Sequence, residues 1–166
     1  MPPDFTAQQM FSLWLVRISC ALYFAALTLW ILKPRAFPKR TWTAACVFYL
    51  AHMITAFAFF HRFSHSEAYQ ATARQTQALM GVYYGGGLYW NYAFTAIWIA
   101  DAAWAWRAGY VTRPRSIHIA IHGFLAFLFF NATVVFGKGW IRIAGMVGFL
   151  ALAAMRVALR SRSVGR

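Results

Sequence analysis

The chain has 166 residues, of which 61% are hydrophobic and 11% are charged. A soluble domain of this length cannot bury so much apolar surface, so the composition excludes an ordinary soluble fold and favours a protein whose excess apolar surface faces lipid. The net charge of +13 comes from sixteen Lys and Arg against three acids. Since the basic residues lie between apolar runs rather than along one helix face, they indicate membrane topology, and we expect no nucleic-acid partner.

Five apolar runs are each long enough to cross a bilayer as a helix, which takes about 20 residues for about 30 Å of hydrocarbon. They cover about residues 10–32, 41–60, 87–106, 117–136 and 140–159. The runs lack the alternation of barrel strands, and only helices then satisfy their backbone in lipid. We predict an all-α, polytopic integral membrane bundle of five transmembrane helices, forming a single transmembrane domain over residues 1–166.

The segments between these runs predict how the helices connect. Basic, proline-containing loops follow the first and third runs, and Gly137-Lys138-Gly139 predicts a tight turn that makes the last two helices antiparallel neighbours. In the long loop after the second run, Ser64 and Glu67 fit a capping box and Gly81 fits a helix C-terminus, so we predict a short interfacial helix over about residues 65–80. The N-terminus lacks a basic signal region, so we expect the first helix to remain in the mature protein.

The distribution of basic residues predicts the orientation. With five spans, one side of the membrane holds four basic residues, and the other holds eleven: Lys33, Arg35, Lys39, Arg40, Arg107, Arg113, Arg115, Arg156, Arg160, Arg162 and Arg166. Cytoplasmic loops carry the excess of Lys and Arg. We therefore expect the N-terminus outside, the C-terminus in the cytoplasm and the interfacial helix on the outer side. Together with the short loops, this pattern favours a bacterial inner membrane.

Three ionisable residues, Asp101, His118 and His122, are predicted in an inner layer near the inner ends of the third and fourth helices. Asp101 and His122 lie about 9 and 10 Å from those ends, so a contact between them is geometrically reasonable. His118 and His122 are four residues apart and share one helix face. Two imidazoles opposite a carboxylate could form a proton relay or hold a metal. Alternatively, Asp101 and His122 form a packing pair that fixes the two helices.

His52 is the most deeply placed histidine, about 16 Å into the second helix. A haem b with two axial histidines would need such a residue and a facing partner, for which His118 and His122 are the candidates. Their depth differs from that of His52 by about 6 Å or more, which helix tilt could partly absorb. The alternative is a histidine hydrogen-bonded to a neighbouring hydroxyl or carbonyl group.

Two further features lie toward the outer side. His61 and His65 have the spacing of a transition-metal site on one helix face, with Glu67 as a third ligand, although a helix break near Ser64 weakens this interpretation. The alternative is a hydrated polar rim. Arg17 lies inside the first helix with no acid on that helix, and Asp101 is predicted on the other side of the membrane. We therefore expect a partner outside the predicted contacts of this chain: an acidic residue of another subunit, a lipid phosphate or a carbonyl-lined pocket.

The chain contains no nucleophile–base pair and no paired carboxylates, which argues against a hydrolase or glycosidase and favours a protein without enzymatic activity. The preferred interpretation is an accessory or structural subunit of a larger membrane assembly, in contact with membrane lipid and with other membrane subunits or copies of itself. One alternative is a haem- or metal-binding redox protein that uses the transmembrane histidines. Another is a small proton-coupled transporter or channel with Asp101 in its relay.

Overall fold

A computed structural model describes residues 5–34, 36–108 and 113–164, with side chains described as far as residue 161. The described residues form helices and no strands, which confirms the predicted all-helical fold. The six helices are α1 (Ala7–Leu32), α2 (Lys39–His61), α3 (His65–Met80), α4 (Gly87–Arg107), α5 (Arg115–Phe130) and α6 (Trp140–Val164).

Four helices in the described part of the chain are long and apolar enough to cross a membrane: α1, α2, α5 with its continuation to Val135, and α6. The length and composition of these helices indicate an integral membrane protein. α4 has 21 residues, which is also long enough to cross a membrane, but its mean hydropathy is too low for it to be counted with these four. Its sequence contains Asn91, Asp101 and several Trp and Tyr residues, whose polar groups lower its mean hydropathy.

The five long helices close a ring in chain order. α1 packs along α2, α2 contacts α4, α4 contacts α5, the segment after α5 contacts α6, and α6 returns to α1. α3 contacts α2 and α4 at one end of the ring, which we call the α3 end. The opposite end, which we call the distal end, holds the C-terminus of α1 and the N-termini of α2 and α5. Aromatic rings fill the middle, where Tyr23 stacks on Phe129 and packs edge-on against Trp98.

Local capping residues set two of the helix starts. The Thr6 hydroxyl accepts a hydrogen bond from the Gln9 amide at 3.2 Å, and the Gln9 side chain accepts one from the Thr6 amide at 3.1 Å, so α1 begins at residue 7 rather than near residue 10. α3 is confirmed with its predicted bounds. Ser64 accepts from the Glu67 amide at 3.2 Å, and Gly81 has a φ of +75° at the C-terminus, where glycine is favoured.

α5 does not continue as a regular helix to residue 136, as its apolar run predicts, but changes to a π-helical turn over Asn131–Val135. The Thr133 hydroxyl donates to the carbonyl of Phe129 at 2.8 Å, and this bond competes with the regular backbone ladder. Gly137 is required directly after the turn, because a Cβ atom there would lie 1.8 Å from the Thr133 carbonyl oxygen. The π turn leads into the predicted connection, where Gly139 has a φ of +55°.

Candidate functional site

A buried carboxylate lies at the distal end of the ring. Asp101 on α4 is 1% exposed. Its Oδ1 atom forms an ion pair with the Arg113 guanidinium, and its Oδ2 atom accepts a hydrogen bond from Trp42 Nε1 at 2.8 Å. The Arg113 guanidinium also lies over the Trp104 ring, 4.6 Å from its centroid. The charge of the carboxylate is therefore balanced inside the protein by the Arg113 guanidinium, and its second oxygen is hydrogen-bonded by an indole N–H group; the two partners come from two other segments.

The chain brings these groups together for local reasons. Trp42 stands in the first turn of α2, Asp101 lies near the C-terminus of α4, and Arg113 precedes α5, so all three belong to the distal end. A long arginine side chain can reach back along the helices while its stem covers apolar surface. A buried tryptophan needs an acceptor for its N–H group, and the carboxylate supplies one.

Two histidines of α5 adjoin this carboxylate. Nε2 of His122 lies 4.0 Å from Oδ1 of Asp101, so the structure brings together the two residues that the sequence predicted as neighbours. The His122 ring packs against Trp30 at 5.0 Å and Trp42 at 5.2 Å between centroids, and the His118 ring lies 4.6 Å away. An imidazole so close to a carboxylate can exchange a proton with it or stabilise its charge.

The two closest partners of Asp101 are not evident from the sequence. The charge pattern identifies Arg113 only as a cytoplasmic basic residue, and it does not point to Trp42. A signal existed for Arg113, since it follows the end of α4 closely enough for its side chain to fold back. No sequence signal singles out Trp42 among the eight tryptophans.

His52 is held in a different place. Its Nδ1 atom lies 2.9 Å from the Ser12 carbonyl oxygen, and because a carbonyl only accepts, this contact places the ring proton on Nδ1. The hydroxyl of Thr55 donates to Ser12 Oγ at 2.9 Å, completing a polar contact between α1 and α2. His52 is ten residues beyond Trp42, or about 15 Å along the helix, whereas His122 packs on Trp42. The structure thus does not bring the predicted haem pair together.

The predicted metal residues lie at the α3 end. The chain reverses after His61 through Arg62 and Phe63, which have φ values of 49° and 56°. His65 Nδ1 then lies 3.1 Å from the Tyr92 hydroxyl. His61 and Glu67 line a polar cavity of about 510 Å³ that also includes His52. No three His, Cys, Asp or Glu side chains within the described ranges gather in a metal-binding arrangement. His61 and Glu67 share the cavity, but the structure does not gather His61, His65 and Glu67 around one point.

Arg17 is half-buried near the start of α6. Its guanidinium lies between two indole rings, 4.8 Å from the centroid of Trp14 and 5.2 Å from that of Trp140. It also lines an apolar cavity of about 390 Å³. Asp101 is engaged with Arg113 at the other end of the ring, so Arg17 and Asp101 are far apart, in agreement with their predicted positions on opposite sides of the membrane.

The candidate residues thus occupy three separate places: the carboxylate cluster at the distal end, the polar cavity under α3 and the cavity beside Arg17. No known protein family matches this chain, and neither does any curated protein or solved structure.

Proposed function

We propose that the chain crosses a bacterial inner membrane five times, with its N-terminus outside and its C-terminus in the cytoplasm. The ring supports this topology, because α4 stands between α2 and α5, two helices that are long and apolar enough to span. The 21 residues of α4 extend roughly 31 Å, which matches the hydrocarbon thickness. Pairing with Arg113 removes the main obstacle to placing Asp101 in a membrane.

Chemical labelling tests this orientation. In a variant with Cys20 and Cys46 replaced by alanine, a membrane-impermeant maleimide added to intact cells should label Lys138→Cys and leave Arg40→Cys unlabelled. Both positions should react after the membrane is permeabilised. The reverse pattern would invert the topology, and labelling of both positions in intact, sealed cells would contradict the five-span arrangement.

We propose that the protein is a structural, non-enzymatic subunit of a larger membrane assembly. The observation that carries this proposal is the state of Asp101, whose two carboxylate oxygens are bound by Arg113 and by Trp42. A carboxylate held in this way joins α2, α4 and the segment before α5. Such buried ion pairs fix the register and packing of the helices that they join. A catalytic or transport group, in contrast, needs a position from which it can contact a substrate or exchange protons with water.

Other polar contacts inside the ring support the same role. Ser19 donates to the carbonyl of Ala45 at 2.8 Å, and His52 donates to the carbonyl of Ser12, so both bonds join α1 to α2. Interhelical hydrogen bonds of this kind hold membrane helices in place. One side of α6 contacts its neighbours in the ring, α1 and the π turn, and its other side presents large apolar residues to lipid or to partner subunits.

The size of the native particle tests the proposed assembly. Membranes of the source cell and of a foreign host that expresses the chain alone are solubilised in the same mild detergent and compared by native electrophoresis. We expect a larger particle from the source cell, because only that cell contains the partner subunits. Particles of equal size would contradict a hetero-assembly, and a Soret band in the purified protein would contradict a purely structural role.

A second candidate function is proton-coupled transport, favoured by the 4.0 Å separation of His122 Nε2 and Asp101 Oδ1. In this case liposomes containing the protein should show a pH-dependent flux that Asp101→Asn abolishes. Glu67→Gln is the matched control, since it removes an acid on α3, away from the cluster. If oriented liposomes show no flux above those without protein, this candidate is eliminated.

A further inference from the structure

The cavity beside Arg17 has the size and lining of a binding site for an apolar group. Its volume of about 390 Å³ falls within the range of small-molecule pockets, about 300–1,000 Å³. α1, α4, α5, the π turn and α6 all contribute to its walls, which include Phe24, Phe94 and Leu128. The space remains open because small side chains face it, among them Ala21 and Ala144.

The cavity is accessible from the side of the bundle. Ala21, Ala132 and Ala144 all line it and are themselves exposed, so it opens on the outer surface of the ring between α1, the π turn and α6. In a bilayer, that surface is in contact with acyl chains. A lipid chain can therefore enter without passing through water.

Arg17 gives this apolar cavity a cationic end. The two indole rings hold the guanidinium through their faces, which leaves its in-plane N–H groups for hydrogen bonding. No acceptor for these groups is found in the described part of the chain. Asp101 is bound to Arg113 and Glu67 lines the other cavity, while Asp4 lies outside the described residues.

The position of Trp140 fixes the level of the head group. Trp140 is the first residue of α6, so the Arg17 guanidinium that it covers lies near the N-terminal end of that helix. From there the cavity extends toward the middle of the ring, where it reaches Phe24 and Tyr49. The cationic group of the cavity thus corresponds in level to the membrane interface, and its apolar part corresponds to the hydrocarbon region of the same leaflet.

We propose that this cavity binds an anionic amphiphile, with the carboxylate or phosphate oxygens of its head group on Arg17 and an acyl chain in the cavity. The planar guanidinium matches either oxyanion with two parallel hydrogen bonds. An acidic side chain of another subunit would satisfy Arg17 but would leave the apolar space beside it unfilled. The inference goes beyond the proposed structural role and depends on neither the number of spans nor the orientation.

Native mass spectrometry of the delipidated full-length protein in detergent tests the proposal with three probes: dioleoylphosphatidylglycerol, oleate and dioleoylglycerol, which has the same acyl chains but no oxyanion. One equivalent of an anionic probe should bind at least about tenfold more tightly than the uncharged one, as expected for a charged hydrogen bond. Preference for phosphatidylglycerol identifies a membrane phospholipid as the source, and preference for oleate identifies a free carboxylic amphiphile. Equal binding of all three probes, or binding of none, overturns the proposal.

Variants separate the head-group contact from the chain contact. Arg17→Gln should weaken binding of the anionic probe by roughly ten- to a hundred-fold, whereas Arg115→Gln, at an exposed position of the distal end, should leave it unchanged. Ala144→Phe keeps the charge and fills the cavity, so it should also weaken binding. Its matched control is Ile143→Phe, at the adjacent and 60% exposed position that does not line the cavity.

Unchanged binding in both Arg17→Gln and Ala144→Phe would overturn the site even if the wild-type protein binds anionic lipid. If Arg17→Gln fails to fold, Ala144→Phe and the selectivity of the wild-type protein decide the question.

Discussion

Replacing Asp101 by leucine leaves the Arg113 guanidinium buried without its counter-charge. Breaking one side of a buried pair costs about 3–5 kcal/mol, because the remaining ion is not solvated. Removing both charges, in Asp101→Leu with Arg113→Leu, eliminates that penalty. What remains is the lost acceptor of Trp42 Nε1, which costs about 1–3 kcal/mol. We therefore expect a coupling free energy of about 3 kcal/mol or more between the two positions.

The assay is reversible unfolding by increasing mole fraction of SDS in mixed micelles, followed by far-ultraviolet circular dichroism. Arg115→Leu is the matched control, since Arg115 is exposed and its loss should change the free energy of unfolding by less than about 0.5 kcal/mol. If the effects of the two single variants add to that of the double variant within about 0.5 kcal/mol, Asp101 and Arg113 are not coupled and the structural role assigned to this pair is refuted.

The same assay checks three smaller effects. Trp42→Phe keeps most of the ring packing but removes the donor to the buried carboxylate, so it should lower the free energy of unfolding by about 1–3 kcal/mol; no loss would contradict that hydrogen bond. Gly137→Ala should destabilise the protein by about 3 kcal/mol, because the new Cβ atom meets the Thr133 carbonyl oxygen, whereas Gly123→Ala, with open space around it, should be tolerated. Ser64→Ala should cost about 1 kcal/mol through loss of the α3 cap, and Ser64→Asn should restore most of it; equal stability of the two variants would show that the cap does not contribute.

Local signals in the sequence locate the helices but not all of their ends. The apolar runs place the long helices, and Ser64 with Gly81 defines both ends of α3, because capping depends on residues only a few positions apart. The capping box at Thr6 is equally local, but it lies before the apolar run and moves the start of α1 outside it. The π turn depends on competition between side-chain and backbone hydrogen bonds, which hydrophobic patterning does not report.

The contacts of the candidate site needed the arrangement of the helices. Depth along each helix was enough to predict that Asp101 and His122 are neighbours, since consecutive antiparallel helices share a level. Depth could not predict that Trp42 reaches the same carboxylate, because that depends on how α2 is rotated against α4. Nor could it predict that Trp140 covers Arg17, since α6 returns to α1 only when the ring closes.

The ion pair between Asp101 and Arg113 also bears on how the chain enters the membrane during synthesis. An aspartate inside a membrane helix costs free energy at the insertion machinery, up to about 2.5–3.5 kcal/mol at the helix centre, and α4 is already the least apolar of the five long helices. Its neutralising cation follows it in the chain and becomes available only after α4 has left the ribosome. With α4 crossing the membrane as proposed, this helix would have to wait at the translocation channel until Arg113 emerges, and the two would enter lipid together.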